Sequence, residues 1–261
     1  MTTLLQRARA GLTLSEAPIV DVHGHIGTYA FSIPDVSPAG LVTVMDRVGI
    51  RSIICSHMRT MSAEMERANN EVLEAMQAFP GRILGYISLW PADKAALRAE
   101  VETRLAQGFT GIKLHRINAF PYTDPFYEDA HAIANERRLP VLCHTWGEED
   151  SFREIAELSA RAPEASYMMA HSGSSNEARY IELARTCENV YLDLTMSLCP
   201  RGLVERLVTG AGPDKVLFGS DAYFLSQTQQ IGKVLGAKIS EEDKHKILGL
   251  NALRILDRIR R

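Results

Sequence analysis

Histidines follow most of the short apolar runs of this chain, and their types and spacing suit the binding of a metal ion. The first such stretch, residues 19–25, reads IVDVHGH. Because successive side chains of a strand point to opposite faces, we expect Asp21, His23 and His25 to lie on one face. Three neighbouring polar side chains are costly to bury unless something satisfies them. The stretch therefore predicts either a metal site or a buried polar network.

Further residues able to bind a metal or move a proton end later apolar runs: His57, His115, His144, His171 and Asp221. Imidazole and carboxylate suit Zn²⁺ and similar ions, and a catalytic zinc site keeps one position open for water. Such an ion lowers the pKa of its water toward neutrality, and a neutral histidine or an aspartate can then act as general base. The other two histidines, His131 and His245, fall in predicted helices, where a solvated or capping role is expected.

The composition is that of an ordinary globular protein, with 46% hydrophobic and 23% charged residues. A net charge of −3 and a pI near 6.3 give no support for binding nucleic acid or an anionic membrane. Neither a membrane-spanning run nor a secretory signal is found in the sequence. The four cysteines form no CxxC pair and are spread thinly through the chain, a distribution typical of reduced thiols. We therefore expect a cytoplasmic protein that acts on a small molecule.

Eight short β-rich runs recur along the chain, and each is followed by a longer helical pattern. The runs cover residues 19–22, 52–55, 83–89, 111–114, 140–143, 166–170, 190–194 and 216–218. Helical patterns cover residues 63–78 after Ser62, 93–107, 124–138 and a closing stretch at 241–260. Eight alternating units without a linker predict a single (β/α)8 TIM barrel over residues 1–261. An open doubly wound sheet is the alternative, although the chain has no GxGxxG motif.

The positions of the histidines suit a barrel, since catalytic groups of such barrels lie at the carboxyl ends of the strands. Six of the eight histidines fall at these ends, and Asp221 ends the eighth strand. The chain thus resembles the amidohydrolase superfamily, in the compact branch called amidohydrolase 2. The resemblance is carried by Asp21-x-His23-x-His25, by the later histidines and GSD in order, and by residues 251–256. It covers nearly the whole chain and leaves no room for the additional β-sandwich of larger members.

The resemblance implies a role for each matching residue. His23, His25 and His144 are expected to be metal ligands, and Asp221 to bind the metal or carry the proton of water. Alternatively, Asp221 could cap the helix that follows strand 8. His171 resembles the catalytic histidine that polarises the substrate or water. Asp21 is expected to support the site by bonding a histidine ligand or its neighbours.

Several residues near the same strand ends could bind the substrate: His57, Arg59, Trp90, Lys113, His115 and Tyr223. Arg116 could also bind a substrate carboxylate. A loop over residues 26–37, with Tyr29 and Phe31, is long enough to lie over the site. The GIKLH segment around Lys113 resembles the setting of a carbamylated lysine that bridges two metals in binuclear relatives. A positive group facing an anionic substrate, or an internal ion pair, is the favoured interpretation of Lys113.

The residues and the resemblance together predict a metal-dependent hydrolase. Metal-activated water would cleave an ester, lactone or amide bond of a small substrate that can carry a carboxylate. A non-oxidative decarboxylase of the same branch is the alternative, and a barrel without catalysis would have lost a ligand, which is not observed. We expect one Zn²⁺, although Mn²⁺, Fe²⁺ or Co²⁺ also suit the residues. A homodimer is the default oligomeric state.

Overall fold

The computed structural model describes residues 2–29, 32–33, 35–61, 64–116 and 119–260, without the side chains of residues 60 and 61. Two sequence predictions fall outside these residues: a place for Phe31 over the site, and a helix start at Ser62. Everything that follows concerns the described residues.

Eight strands form where the β-rich runs predict them. Their bounds are β1 Ile19–Ile26, β2 Ile50–His57, β3 Ile83–Ser88, β4 Gly111–Leu114, β5 Pro140–Cys143, β6 Ser166–Met169, β7 Val190–Asp193 and β8 Val216–Leu217. Each strand pairs in parallel with the next in the chain, in the order β1 to β8. This confirms the predicted (β/α)8 barrel. The open doubly wound alternative is wrong, because it would require the strand order to reverse.

Hydrogen bonds between β1 and the chain around β8 close the barrel. The Val22 N–H donates to the Phe218 carbonyl at 3.0 Å, and the Asp221 N–H donates to the His23 carbonyl at 2.7 Å. The His25 N–H donates to the Ala222 carbonyl at 2.6 Å. Closure therefore binds the strand that carries two candidate ligands directly to the segment that carries Asp221.

Helices alternate with the strands along the chain and cover the outside of the barrel. Their bounds are α1 Leu4–Arg9, α2 Pro38–Val48, α3 Met65–Ala78, α4 Lys94–Ala106, α5 Glu128–Arg137, α6 Glu149–Arg161, α7 Glu177–Thr186, α8 Leu203–Ala211, α9 Gln227–Gly236, α10 Glu241–His245 and α11 Asn251–Asp257. The Asp93 carboxylate caps α4 by accepting from the Ala96 N–H at 2.8 Å. No described helix is both long and apolar enough for a membrane crossing.

The predicted closing helix over residues 241–260 is not continuous. A π-helical turn, Lys246–Leu250, separates α10 from α11. Within this turn Gly249 lies so close to the chain that an added Cβ would come 1.7 Å from the Pro18 carbonyl oxygen. The close approach lets the turn pack under β1, and the Phe218 N–H donates to the Ile247 carbonyl there. The single-helix prediction is therefore wrong in this detail.

Apolar side chains from seven strands and α11 meet inside the barrel and form what we call the inner apolar cluster. Its buried members are Val20, Val22, Ile54, Tyr86, Leu142, Met168, Ala170, Tyr191, Leu217, Ala252 and Ile255. A larger apolar cluster lies between the strands and the surrounding helices. Because the inner cluster includes α11, it fills the end of the barrel opposite the carboxyl ends of the strands. That leaves the other end for polar side chains.

His131 on α5 differs from its sequence prediction. It is only 7% exposed, and its ring lies between the Tyr122 carbonyl oxygen at 2.9 Å and the Tyr167 hydroxyl at 3.1 Å. Burial lowers the pKa of His131 to about 4. The expected solvated or capping role is thus wrong: His131 is a neutral core histidine with both ring nitrogens hydrogen-bonded.

Candidate metal centre

Two imidazoles and one carboxylate converge at the carboxyl ends of β1 and β8. His23 Nε2 lies 3.6 Å from Asp221 Oδ1, and His25 Nε2 lies 3.0 Å from the same oxygen. Ligand atoms of these three residues all lie within 4.8 Å of one another. A donor set of two nitrogens and one oxygen at this spacing suits a divalent metal ion.

The ring of His23 is fixed on both of its nitrogens. Its Nδ1 lies 2.7 Å from Asp193 Oδ2, and its Nε2 lies 3.2 Å from Lys113 Nζ. The carboxylate of Asp193 accepts the Nδ1 proton, so Nε2 keeps its lone pair and accepts from the Lys113 ammonium. An imidazole whose other nitrogen donates to a carboxylate is the arrangement that orients metal-binding histidines. His23 therefore presents a bare nitrogen to the position between His25 and Asp221.

Asp193 is itself held firmly in the barrel. Its Oδ1 accepts from the backbone N–H of Thr195 at 3.0 Å and from the Thr195 hydroxyl at 2.9 Å. Burial raises the pKa of Asp193 to about 7, while the bonds from Thr195 and the charge of Lys113 act in the opposite direction. A Cβ added at Gly219 would come 2.1 Å from Asp193 Oδ1, so only glycine fits beside this carboxylate.

His25 carries its second hydrogen bond to Ser56 on β2. The Ser56 hydroxyl lies 3.2 Å from His25 Nδ1, while His25 Nε2 faces Asp221. A hydroxyl can donate or accept, so Ser56 can satisfy either tautomer of this ring. In one tautomer His25 Nε2 can therefore donate a hydrogen bond to Asp221, and in the other it can bind a metal. Ser56 satisfies Nδ1 in both cases.

Asp221 does not cap a helix, because α9 begins only at Gln227, with Ser226 at its N-cap. Its backbone has a φ of 62°, in the left-handed region that non-glycine residues rarely adopt, and His171 has a φ of 56°. Such conformations are costly and persist only where the surrounding structure enforces them. For Asp221 the enforcement is the N–H bond to the His23 carbonyl described above. The strain directs its carboxylate at both histidines of β1.

His144 and His171 form a second imidazole pair beside His23. His171 Nδ1 lies 3.1 Å from the Thr195 carbonyl oxygen, which can only accept, so the Nδ1 carries the proton. His171 Nε2 is therefore an acceptor for His144 Nδ1, 3.3 Å away. It follows that the bare nitrogen of His144 is Nε2. His144 is not among the three residues with mutually close ligand atoms, and its assignment as a metal ligand stays a prediction.

The remaining histidine of the group, His115, stacks on His144 with ring centroids 3.8 Å apart. Burial lowers the pKa of His115 to about 3 and that of His171 to about 4, with Lys113 contributing to both. Burial also lowers the pKa of His23 and of His144 well below the usual value. These four imidazoles are therefore neutral near neutral pH, as metal binding or proton acceptance requires.

Lys113 on β4 points into the barrel, as its position two residues before His115 predicts. It is fully buried, and burial lowers its pKa to about 8 although Asp221 and Asp193 act to raise it. Its contact with His23 makes it part of the internal charge network. Its direct contact with a substrate stays a prediction, and its carbamylation stays the disfavoured alternative.

Asp21 lies on a different face from the two histidines that follow it. The flanking residues Val20 and Val22 belong to the inner apolar cluster, while Asp21 Oδ2 accepts from Gln227 on α9 at 3.3 Å. The expectation that Asp21 shares a face with His23 and His25 is thus wrong. A shift in register on β1 between Asp21 and Gly24 interrupts the alternation of side chains.

From this outer face Asp21 still supports the site through the backbone. Its Oδ1 accepts from the N–H of His23 at 3.2 Å and from the N–H of Ser220 at 2.9 Å. Burial raises its pKa to about 7, and these hydrogen bonds lower it. Asp21 thus joins β1 to the segment before Asp221.

The other proposed substrate-binding residues lie in different surroundings. His57 is buried and its Nε2 lies 2.7 Å from Glu71 on α3, while Arg59 pairs with Glu64 at 2.5 Å. The hydroxyl of Tyr223 donates to the Ser37 carbonyl at 2.5 Å. The backbone N–H of Trp90 donates to the sulfur of Met65 at 3.4 Å. Substrate contact by these four residues and by His115 stays a prediction.

Two residues of the site were not singled out in the sequence. Asp193 stands inside the apolar run VYLDL on β7, and its polarity within a buried strand is the signal that could have identified it. Trp146 follows His144 by two residues, and its ring stacks on His171 at 4.3 Å. A tryptophan in a short polar loop carries no comparable signal.

A surface cleft of about 800 Å³ lies between α2 and α3, and it is also lined by Ile26 and Gly27, which follow His25. Residues 36–39 at the start of α2 line one wall, and Arg67, Asn70, Glu71 and Glu74 line the other. It contains none of the three converging ligand residues. Because the chemistry is at the strand ends, we do not assign the active site to this cleft.

The fold and the site together define a class of protein, a parallel (β/α)8 barrel with a histidine–aspartate centre at the carboxyl ends of its strands. A family model described as amidohydrolase, Amidohydro_2, matches residues 20–258. The chain therefore belongs to this amidohydrolase family, which confirms the resemblance found in the sequence. No curated protein matches the chain in sequence.

Solved structures with the same fold include proteins of different activities. A 4-oxalomesaconate hydratase from Rhodopseudomonas palustris is 17% identical, with 92% of this chain and 96% of that chain covered and a TM-score of 0.72. A dihydroxybenzoic acid decarboxylase from Polaromonas with bound manganese has 17% identity, 92% and 97% coverage and a TM-score of 0.72. A probable 2-pyrone-4,6-dicarboxylic acid hydrolase from Acinetobacter baumannii has 13% identity, 92% and 99% coverage and a TM-score of 0.68. At these identities the likeness shows the fold alone.

Proposed function

We propose that this protein is a metal-dependent hydrolase that cleaves an ester, lactone or amide bond of a small carboxylic acid. The observation that carries the proposal is the convergence of His23, His25 and Asp221, with Asp193 orienting His23 from behind. Buried imidazoles with bare nitrogens and a nearby carboxylate form a site that a cation would complete.

The chain offers donors that fit a divalent ion. His23 Nε2, His25 Nε2 and Asp221 Oδ1 would hold it, and the bare Nε2 of His144 is the candidate for a further ligand. A bound divalent ion supplies Lewis acidity, which polarises a carbonyl group and acidifies water. We propose Zn²⁺ because nitrogen ligands predominate, with Mn²⁺, Fe²⁺ and Co²⁺ as alternatives. Manganese occupies the Polaromonas structure.

Asp221 is the residue we assign to proton transfer. Its side chain is 13% exposed, against 10% for His25 and 1% for His23, so solvent can reach this carboxylate. Its Oδ1 lies 3.0 Å from His25 Nε2 at the same position, and a carboxylate there can accept a proton from water. We assign His171 to orienting the substrate or the water through its unprotonated Nε2, which would exchange the contact with His144 Nδ1 for one with the ligand.

We propose that the substrate is an acid because the buried cationic side chain of Lys113 lies beside His23. Lys113 contributes positive charge beside the carboxylates of Asp193 and Asp221, and together with a bound divalent cation it would outweigh them, which favours an anionic ligand. The hydratase, the decarboxylase and the hydrolase described above are all named for carboxylic acids. The four cysteines of the chain are free, which suits the cytoplasm, where we propose that the protein acts.

A decarboxylase is the second candidate, and the Polaromonas structure of that name supports it. Such an enzyme would bind the carboxylate of an aromatic or unsaturated acid and return a proton to carbon. An arginine facing the metal would favour this chemistry. Arg59 and Arg116 instead pair with Glu64 and Glu154, so we keep hydrolysis as the leading proposal.

A single panel separates the two candidates. Purified protein is stripped with a chelator, reloaded with Zn²⁺ or Mn²⁺, and assayed with lactones, esters, amides and aromatic acids. We expect acid release from a lactone, ester or amide that depends on added metal. Release of CO₂ without hydrolysis would instead establish the decarboxylase.

Variants connect the activity to the site. Asp221→Asn keeps the size of the side chain but removes its basicity, and we expect turnover to fall by at least about 100-fold. The matched control is Asp129→Asn on α5, which should leave turnover unchanged. Hydrolysis that survives both chelation and Asp221→Asn would refute the proposal.

A further inference from the structure

Trp146 is one of the few large apolar side chains that the described structure leaves exposed. It is 49% exposed, although it lies only two residues after His144 at the carboxyl end of β5. Its indole stacks on the His171 ring with centroids 4.3 Å apart and planes 9° apart. The edge contact with His144 has a centroid distance of 5.2 Å. One face of the indole thus covers a catalytic candidate, and about half of the side chain is open.

The backbone of the loop that carries Trp146 is held by hydrogen bonds. The backbone N–H of Trp146 donates to Glu148 Oε2 at 2.9 Å, and the backbone carbonyl of Trp146 accepts from the Ser175 hydroxyl at 2.6 Å. The next residue, Gly147, has a φ of 87°, and a Cβ there would come 2.2 Å from Ser175 Oγ. His171, on which the indole rests, is fixed by Thr195. An exposed aromatic ring held this firmly is preorganised for contact rather than mobile in solvent.

Aromatic side chains also line the other side of the metal centre. Phe224 packs edge-on against His25 with a centroid distance of 5.7 Å, and Tyr29 packs against Phe224 at 4.9 Å. His23 lies between the two sides, with its ring 5.2 Å from His25 and 5.4 Å from His171. The polar centre is therefore flanked by aromatic rings on two sides.

We propose that the open face of Trp146 is the surface on which a planar, unsaturated part of the substrate stacks. This residue would then select planar acids over saturated acids of similar size and equal charge. The inference rests on the proposed function, since it places the substrate at the mouth of the barrel. Stacked aromatic pairs are worth about 0.5–1.5 kcal/mol beyond area burial, which corresponds to a preference of about two- to tenfold.

Benzoate and cyclohexanecarboxylate are the probes that test it, because they share a charge and a six-membered ring and differ in planarity. Calorimetry with protein reloaded with Zn²⁺, and with protein without added metal, should show benzoate binding about two- to tenfold more tightly. Trp146→Leu keeps an apolar side chain without the ring and should reduce the ratio to about one. Trp146→Phe should retain part of the preference.

Four outcomes of the binding experiment would overturn the inference. Equal affinities in the unaltered protein, no binding of benzoate up to its solubility, or equal weakening of both ligands in Trp146→Leu would remove the selective role. A changed oligomeric state in Trp146→Leu with an unchanged ratio would make the indole an interface between copies. A preference for benzoate that persists while the hydrolysis panel is negative would instead refute the proposed reaction and leave this inference standing.

Discussion

The two ends of the barrel interior are both buried but are built from opposite kinds of side chain. Toward α11 the strands contribute Val22, Leu142 and Met168, which belong to the inner apolar cluster. Toward the carboxyl ends the neighbouring positions carry His23 and Lys113, which are equally buried. On β1, Val22 of the base directly precedes His23 of the mouth, and Leu142 on β5 lies two residues before His144. Single strands therefore contribute to both the packed base and the polar mouth.

The difference shows that the residues that stabilise the fold and the residues suited to chemistry occupy opposite ends of the barrel interior. Apolar contacts in the base gain free energy from burial and from dense packing. The mouth gathers charged and polar groups whose desolvation is offset only by partners, such as the pair His23 and Asp193. We therefore expect substitutions in the base to change folding and substitutions in the mouth to change metal binding.

Leu142→Ala in the base should give the largest change in stability. The side chain is fully buried in the inner apolar cluster, and loss of a buried leucine typically costs about 2–5 kcal/mol. The free energy of unfolding is measured by denaturant titration. Metal content of the folded variant should match that of the unaltered protein. A large loss of metal content, without a loss of stability, would show that the two ends are not separable.

Asp193→Asn should weaken metal binding through His23. The amide cannot accept the Nδ1 proton as strongly as the carboxylate does, so the ring is oriented less firmly. Loss of such a partner typically costs about 10–100-fold in metal affinity. The measurement is the dissociation constant for Zn²⁺ by competition with a chelator. Asp257→Asn, at the end of α11, is the control, and an unchanged constant in Asp193→Asn would contradict the assigned role.

His131→Gln tests whether a buried histidine outside the mouth acts through stability alone. The folded-state pKa of about 4 lies below the ordinary histidine pKa of 6.5, because burial disfavours the charged ring. The unfolded chain therefore takes up a proton between pH 6.5 and pH 4 that the folded chain refuses. The contribution of neutral His131 to the free energy of unfolding is fully present above this pH range and is lost as the pH falls through it.

The expected contribution of His131 is about 2 kcal/mol lost between pH 7 and pH 5, and His131→Gln should remove that part of the pH dependence. Denaturant titrations of both proteins at the two pH values give the difference. Metal content should be unchanged. An identical pH dependence in the two proteins would show that His131 is protonated in the folded state.

Arg98→Ala should have the smallest effect. Its ion pair with Glu102 on α4 is about half exposed on both sides, and such pairs contribute roughly 0–1 kcal/mol. We expect a change in unfolding free energy within about 0.5 kcal/mol and no change in metal affinity. A larger effect on either would show that the outer helices influence the mouth.

The sequence predicted the barrel well because its signals are local. Apolar runs such as residues 140–143 coincide with β5, and the helical pattern at 63–78 is found as α3 from Met65. The gathering of His23, His25 and Asp221 followed from the rule that strand ends meet at one end of a barrel. Once the strands were identified, topology brought these residues together.

Other features depend on contacts that local patterns do not encode. The register shift after Asp21 occurs where β1 pairs with β2, and it places His23 on a different face from Asp21. Burial of His131 depends on Tyr122 in the segment before α5 and on Tyr167 of β6, which is 36 residues away. Asp193 functions through an imidazole 170 residues away. Each required the assembled neighbourhood rather than the periodicity of one segment.

The most direct test of the account is the metal content of the purified protein and its loss on substitution of one imidazole. Elemental analysis after reloading should find a divalent metal bound to the unaltered protein and to His245→Ala, a histidine on α10. His23→Ala, folded as judged by its unfolding transition, should bind none. Equal metal content in His23→Ala and the unaltered protein, or no metal in either, would contradict the central claim.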